Sequence, residues 1–331
     1  MDLPELAIAA LGGTVSMQSL QSGEGVVPTA DGQALLNTVP ELKALAQLRV
    51  ETLSLLPSAS LDFEYLLSVL GWANAQVSQG AAGVIIIQGT DTLEESAAFF
   101  DYLWEHDEPL VLTGAMRSAR QPGADGPANL LDAGRVALNK SSRRRGAQVV
   151  LNGEIHRASA VRKVDSMAVN AFASPMTGPA GILIEGAAHY FQPPVMRRVL
   201  PMPQHTGHTI ALLEASLSAD SLLLEQVVEL GYDGLVIAGF GAGHVSAPWA
   251  NAIEAIARRI PVVIATRTGC GTTSYSTYGF IGSEIDLLTK GAVMAGFVCP
   301  RKARILLWLL VGCRQQEQLP SYLDPTGWPH A

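Results

Sequence analysis

Along most of the chain, short apolar runs rich in β-branched residues alternate with longer stretches whose apolar positions recur at helical spacing. That alternation predicts a parallel, doubly wound α/β sheet. Leu6–Leu11 is the first such run. Val84–Ile87 is the most uniform, with no polar position, as expected of a strand buried on both faces. Between them the pattern predicts a helix over 31–38, a strand over 50–56, and a helix over 64–79 capped by Asp62. After Gly89 a helix pattern covers 94–104, with Ala97, Phe100, Leu103 and Trp104 on its apolar side. Thr92 and Glu95 have the spacing of a capping box at its start. A strand over 109–113, a turn over 121–127, a helix over 129–136, a strand over 148–152, and a hairpin or strand pair over 154–164 complete this series.

The periodicity then fails. Residues 192–207 hold four prolines and two adjacent arginines and read as a linker. Beyond it come a strand over 209–213, a helix over 221–230, a strand over 234–238, a helix over 248–258, a strand over 261–266 and a last helix over 301–311. The expected organisation is a larger N-terminal α/β domain over 1–190, a linker over 191–208, and a smaller C-terminal α/β domain over 209–331. Residues 16–25, rich in Ser, Gly and Gln, carry no apolar periodicity and read as a mobile loop.

A chain of 331 residues is long enough for two domains. With 48% hydrophobic and 16% charged residues it is globular in composition. The formal net charge of −8 argues against nucleic acid as a partner, because phosphate binding needs a basic face. The one basic run, Arg143–Arg145, reads as a solvated loop. Cys270, Cys299 and Cys313 have neither disulfide-framework nor zinc-site spacing, which suits a reducing compartment. No signal-peptide pattern opens the chain, and the longest apolar run, Ile305–Val311, is far short of a membrane span. The expectation is a cytoplasmic protein.

Chemistry concentrates just past two strands. Gly12-Gly13-Thr14 and Gly89-Thr90-Asp91 each place a hydroxyl beside glycine in a loop at a strand's carboxyl end, the edge at which open α/β sheets bind ligands. A threonine nucleophile needs a neighbouring base. Lys163, flanked by apolar residues on a predicted strand, supplies one if burial deprotonates it, with Asp91 to orient it. Each residue has a plainer reading: Thr90 and Asp91 as helix-start residues, Ser58 as a helix cap, Lys163 as an edge lysine, and His244 as a satisfied loop histidine. Gly239–Gly243 follows a strand but lacks the spacing of a dinucleotide loop, and the other histidines lack metal-ligand spacing.

Blocks in order along almost the whole chain resemble the bacterial-type asparaginases and glutaminases. Leu11-Gly12-Gly13-Thr14-Val15 is similar to the family's first threonine motif and Gln88-Gly89-Thr90-Asp91-Thr92-Leu93-Glu94-Glu95 to its second. Gly114-Ala115-Met116-Arg117 with Ala124–Leu130, Lys163 ahead of Ala171–Pro175, and Lys302–Leu307 are similar to later blocks. The resemblance implies an amidohydrolase, using neither metal nor organic cofactor, that hydrolyses the side-chain amide of L-asparagine. Thr14 would attack the amide carbon to give an acyl-enzyme and ammonia, and water would release aspartate. Thr90, Asp91 and Lys163 would activate the nucleophile or the water. Ser58 would hold the α-carboxylate and Asp91 the α-ammonium. The backbone N–H groups of Ala115 and Thr90, beside Gly89, would serve as oxyanion donors. His244 lies where several members carry asparagine, and Glu284 fits the glutamate donated by a neighbouring subunit. The usual assembly is a tetramer with sites completed across a dimer interface.

Departures from the family pattern bear on selectivity. No tyrosine lies between Thr14 and Tyr65, although many members have one in the loop after the first threonine, near Gly25 here; Ser16, Ser19 and Ser22 are weak stand-ins. The substrate-binding glutamine that usually follows the serine is Ala59. The alternatives are hydrolysis of L-glutamine, D-asparagine or another ω-amide, and a non-catalytic amino-acid-binding protein. An amidase subunit feeding ammonia to a partner enzyme ranks below these.

Overall fold

The computed structural model describes residues 3–13, 17–19, 26–28 and 31–323, with 17–19 and 26–28 described by backbone alone. The chain divides into two compact units, residues 1–199 and 200–331.

In the first unit the elements run β1 (Glu5–Ala10), β2 (Met17–Ser19), β3 (Val26–Pro28), α1 (Gly32–Leu36), α2 (Leu42–Leu45), β4 (Gln47–Thr52), α3 (Phe63–Ser78), β5 (Gly83–Ile87), α4 (Leu93–Leu103), β6 (Leu110–Thr113), α5 (Gly126–Leu138), β7 (Ala147–Leu151), β8 (Glu154–Arg157), β9 (Arg162–Lys163), β10 (Phe172–Ala173), β11 (Gly181–Ile184) and β12 (Ala187–Tyr190). Eight strands form one sheet in the order β12-β11-β8-β7-β6-β5-β1-β4. From β4 to β7 it is parallel, in a register that sets Ile8 beside Ile85 and Ile85 beside Val111. Every residue of β5 is buried, which is why its sequence carries no polar position. Leu6, Ile8, Ile85, Ile87 and Val111 pack beneath α1, α2 and α5, while α3 and α4 cover the opposite face, Phe63 stacking on Phe99 at 5.5 Å.

The sheet is not parallel throughout. β8, β11 and β12 join it antiparallel. Asn152-Gly153, with φ of 52° and 74°, turns the chain straight back from β7 into β8. Two successive positive φ angles are what a type I′ hairpin turn requires, and Asn-Gly is its strongest sequence signal. The helix start at 92 also departs from expectation. Thr92 makes no capping bond; its hydroxyl donates to the Ser58 carbonyl at 3.0 Å, so no capping box forms. Part of the segment expected to be a plain loop forms the antiparallel pair β2–β3.

The order of the parallel strands positions the site. From β1 the chain moves to β4 on one side, then crosses to β5 on the other side and continues outward to β6. The loops after β1 and β5 therefore diverge from adjacent strands, which makes this a topological switch point, where a crevice opens at the carboxyl edge.

The second unit is a four-stranded parallel sheet in the order β13 (Ile210–Glu214), β14 (Gly234–Gly239), β15 (Val262–Thr266), β16 (Val293–Met294). Its helices are α6 (Leu222–Gln226), α7 (Ala247–Ala257), α8 (Glu284–Thr289), α9 (Pro300–Gly312) and α10 (Leu319–Leu323). α9 is not the last helix, and α8 and β16 fill a stretch in which no element is expected from periodicity. Residues 200–208 pack within this unit: Gln204 N–H donates to Gly312 O, and the His208 ring stacks on Trp308. Among the described residues no helix is long and apolar enough to cross a membrane.

Candidate active site

The loops after β1 and β5 touch. Gly13 has φ +90°, and a Cβ on it would lie 2.2 Å from Gly89 N, so no side chain fits there. A Cβ on Gly89 would in turn lie 2.7 Å from Ser58 Oγ. Ser58 opens the 3-10 turn Ser58–Ser60 and is 3% exposed, and its hydroxyl has no hydrogen-bond partner among the described residues. A buried hydroxyl without a partner is costly, and it keeps its hydrogen-bonding capacity available to a further group. Ser58 thus faces Gly89, and the Thr92 bond to its carbonyl ties the two loops together. Ala59 follows on the exposed side of the turn.

Lys163 reaches this crevice from β9. Its Nζ donates to Thr90 Oγ1 at 3.0 Å and to Asp91 Oδ1 at 2.8 Å. Thr90 is 5% exposed, whereas the Asp91 side chain is 71% exposed. One amine therefore bridges a sheltered hydroxyl and a solvent-facing carboxylate. Sequence expectation had joined these three residues from about 70 positions apart, and they meet here.

The next parallel strand contributes a third wall. After β6 the turn Gly114–Arg117 is held by Asp125, whose carboxylate accepts the Met116 and Arg117 N–H groups at 2.9 and 2.8 Å. Buried Asn129 donates to Gly114 O and to Asp125, and accepts the Asn152 N–H. Among the described residues neither the Ala115 nor the Thr90 backbone N–H has an acceptor. Asp125 and Asn129 were not singled out from the sequence. The signal was available: Asp125-Gly126-Pro127 sets an Asp at the N-cap position of α5 with Pro in the first turn. Glu94 was also passed over; it is 2% exposed, and its carboxylate accepts the Lys163 N–H.

Thr14, the expected nucleophile, follows Gly13 and lies outside the described residues, as do Ser16, Ser22, Gly25 and the side chain of Ser19.

His244 and Glu284 belong to the second unit. His244 closes the glycine-rich turn after β14 and lies between the rings of Tyr278 and Phe280 at 4.8 and 5.1 Å. Its Nε2 is 3.2 Å from Glu284 Oε2. Glu284 differs from expectation. It is fully buried, and its other oxygen accepts the Thr277 and Tyr278 N–H groups, both at 2.6 Å. Its carboxylate is committed inside its own unit rather than offered outward. Burial pushes this carboxyl up, but the Tyr278, Glu284 and Thr277 N–H groups together with the His244 ring outweigh it and hold it below the usual glutamate range. Among the described residues no cluster of three or more His, Cys, Asp or Glu is arranged to hold a metal ion.

Residues 5–196 match the family described as asparaginase, N-terminal, and residues 209–319 match the glutaminase/asparaginase C-terminal domain. The chain is 34% identical to a probable periplasmic L-asparaginase of Haemophilus influenzae over 98% of this chain and 93% of that protein. It is 35% identical to a probable L-asparaginase of Deinococcus radiodurans, covering 93% of each. The crystal structure of a probable cytoplasmic L-asparaginase from Campylobacter jejuni superposes with a TM-score of 0.87 at 27% identity, over 97% of this chain and 99% of that one.

Proposed function

Because this chain belongs to the asparaginase family, we propose that it is an amidohydrolase that converts L-asparagine to L-aspartate and ammonia. The observation that carries this reading is the Lys163 amine bridging Thr90 and Asp91 at the switch point, where Gly13, the residue before Thr14 in sequence, meets Gly89, the residue before Thr90. A protein that only bound an amino acid would need the carboxylate but not a hydroxyl paired to an amine.

In this reading Thr14 Oγ adds to the side-chain amide carbon, and the oxyanion is met by the Ala115 and Thr90 N–H groups. The threonine proton passes to the departing nitrogen, which leaves as ammonia while an ester forms on Thr14. Water, activated by the Thr90–Lys163–Asp91 cluster, then adds to that ester. Thr14 regains its proton and aspartate leaves. Ser58 supplies its unpaired hydroxyl to the substrate α-carboxylate, and exposed Asp91 pairs with the α-ammonium. His244 contributes a ring nitrogen beside the substrate. Glu284 serves to fix that ring, since its own oxygens are engaged.

The same reading makes the protein a homo-oligomer, a dimer or tetramer with sites completed between subunits. Tyr278, Phe280, Ile281 and Ile285 support this: they leave an apolar surface around α8, next to His244, that a second copy would cover. The reading also includes a cytoplasmic location; the Campylobacter jejuni protein is described as cytoplasmic and the Haemophilus influenzae protein as periplasmic. Sedimentation and cell fractionation test these two points.

The activity test is ammonia release from L-asparagine, with L-glutamine and D-asparagine alongside. Release from L-asparagine that disappears in Thr14→Ala is the expected result. Release only from another amide would move the substrate, with Ala59 as the first residue to question. Binding without turnover would leave an amino-acid-binding protein.

A further inference from the structure

We propose that Glu94 is a positioning residue that fixes where Lys163 begins, so that its ammonium reaches Thr90 and Asp91 together. The proposal rests on the functional reading of those three residues and extends it to a fourth.

Lys163 does not belong to the eight-stranded sheet. β9 is two residues long and among the described residues pairs only with β10, Phe172 opposite Lys163 and Ala173 opposite Arg162. No ladder to the parallel strands sets its distance from the β5 loop. Side-chain anchors contribute instead, beside the Val161 N–H bond back to Arg157 O at the end of β8. At one end the Lys163 N–H donates to Glu94 Oε2 at 2.5 Å. At the other, Ser174, just past β10, has its hydroxyl 3.0 Å from Nδ1 of His156, a 1% exposed residue on β8.

The Glu94 anchor has a geometric consequence. Thr90, Asp91 and Glu94 lie on one continuous loop-to-helix segment, with Glu94 the second residue of α4. Anchor and acceptors therefore move together. A lysine side chain has many rotamers, and only a backbone held at the right distance lets one of them meet both acceptors at once. Carboxylates are almost never buried at 2% exposure without partners that compensate them. The plainer role for Glu94 is to favour the helix start, where acidic residues suit the backbone dipole. That role would act on folding alone and would be indifferent to Lys163.

The two roles separate in a double-mutant cycle on ammonia release. Glu94→Gln keeps an acceptor oxygen, and Glu94→Met keeps the volume without it. The Met variant is expected to lose about 10²-fold in kcat, the scale of a misplaced reacting group, with KM changed by less than about threefold. The Gln variant should stay within about fivefold of wild type, since its oxygen still accepts the N–H. In a Lys163→Ala background, Glu94→Met should cost nothing more. A Met variant with wild-type kcat, a Gln variant falling as far as Met, or an equal loss in the Lys163→Ala background would each overturn the proposal. If the Met variant does not fold, Glu94→Asp, which withdraws the carboxylate by one methylene, takes its place. If wild-type protein releases no ammonia from any amide, the functional reading fails instead. Hydrogen exchange at the Lys163 amide, protected in wild type and faster in Glu94→Met, then still decides whether the anchor exists.

Discussion

Asp91 and Lys163 form an unequal pair. Their 2.8 Å contact joins a carboxylate whose side chain is 71% exposed to an amine only 16% exposed. An ion pair with one partner in solvent contributes little to stability, about 0–1 kcal/mol. Its geometry serves another purpose: the amine that meets Asp91 also meets the sheltered Thr90 hydroxyl.

Lys163→Met should therefore separate turnover from folding. Removing a group that moves protons costs about 10²–10⁴ in kcat, whereas the melting temperature should fall by no more than a few degrees. The two numbers come from steady-state ammonia release and a thermal melt on the same sample. A variant that melts far below wild type would show Lys163 to be chiefly structural.

Gly13→Ala should do the reverse and damage folding first. The substituent would meet Gly89 N at 2.2 Å and Gly89 Cα at 2.3 Å, from a backbone φ of +90°. Both contacts are with backbone, which cannot swing aside as a side chain can. The expected loss is about 2–4 kcal/mol, read as a lower urea midpoint at unchanged slope. A substitution at Gly71, which has nothing within 4 Å of its Cβ direction, is the control and should cost little.

How much of this was legible in the sequence follows from which forces act locally. β5 was plain because burial on both faces demands an uninterrupted apolar run, and α3 because Asp62 accepts the Tyr65 N–H at its start as a cap should. The capping box at Thr92 failed because the Ser58 carbonyl, brought near only by the tertiary fold, takes that hydroxyl. The antiparallel β8 was written in Asn152-Gly153, but the hairpin is expected from the sequence within 154–164, whereas the chain turns back earlier, between β7 and β8. Residue chemistry alone suggested Lys163 as a base with Asp91 to orient it, and the resemblance added Thr90 to the cluster; spacing could supply neither, since nothing local links β9 to the β5 loop. Glu94, Asp125 and Asn129 were missed for the same reason: they act on backbone groups whose neighbours are set by the fold.

Asp125→Ala should loosen the turn that carries Ala115. The substitution takes a partner from buried Asn129, where an unmet group costs about 1–3 kcal/mol, and strands the part-buried Met116 and Arg117 N–H groups, which water can partly satisfy. Loss of kcat at folded-state saturation should accompany loss of stability, because the Ala115 N–H moves with the turn. Asp125→Asn, which keeps one acceptor oxygen, should recover part of both. Wild-type kcat in a destabilised Asp125→Ala protein would remove Ala115 from the reaction.

Glu284 sets a pH dependence whose sign follows from its surroundings. The Tyr278, Glu284 and Thr277 N–H groups and the His244 ring overcome the cost of burial and hold its carboxyl below the usual range. A carboxyl depressed in the folded state is ionised there more readily than in the unfolded chain. It therefore contributes stability that is fully present above the unfolded value of about 4.3 and is lost as the pH falls through the lower, folded one. Glu284→Gln keeps the shape but removes the titration. The variant should be less stable than wild type at neutral pH, because an amide oxygen accepts the two N–H bonds more weakly than a carboxylate does. The gap should narrow as the pH drops below about 4, where wild type loses its advantage. Urea midpoints of both proteins at neutral pH and near pH 3 measure it. A gap that stays constant, or widens in acid, would show that the carboxylate is not what organises the Thr277–Tyr278 turn.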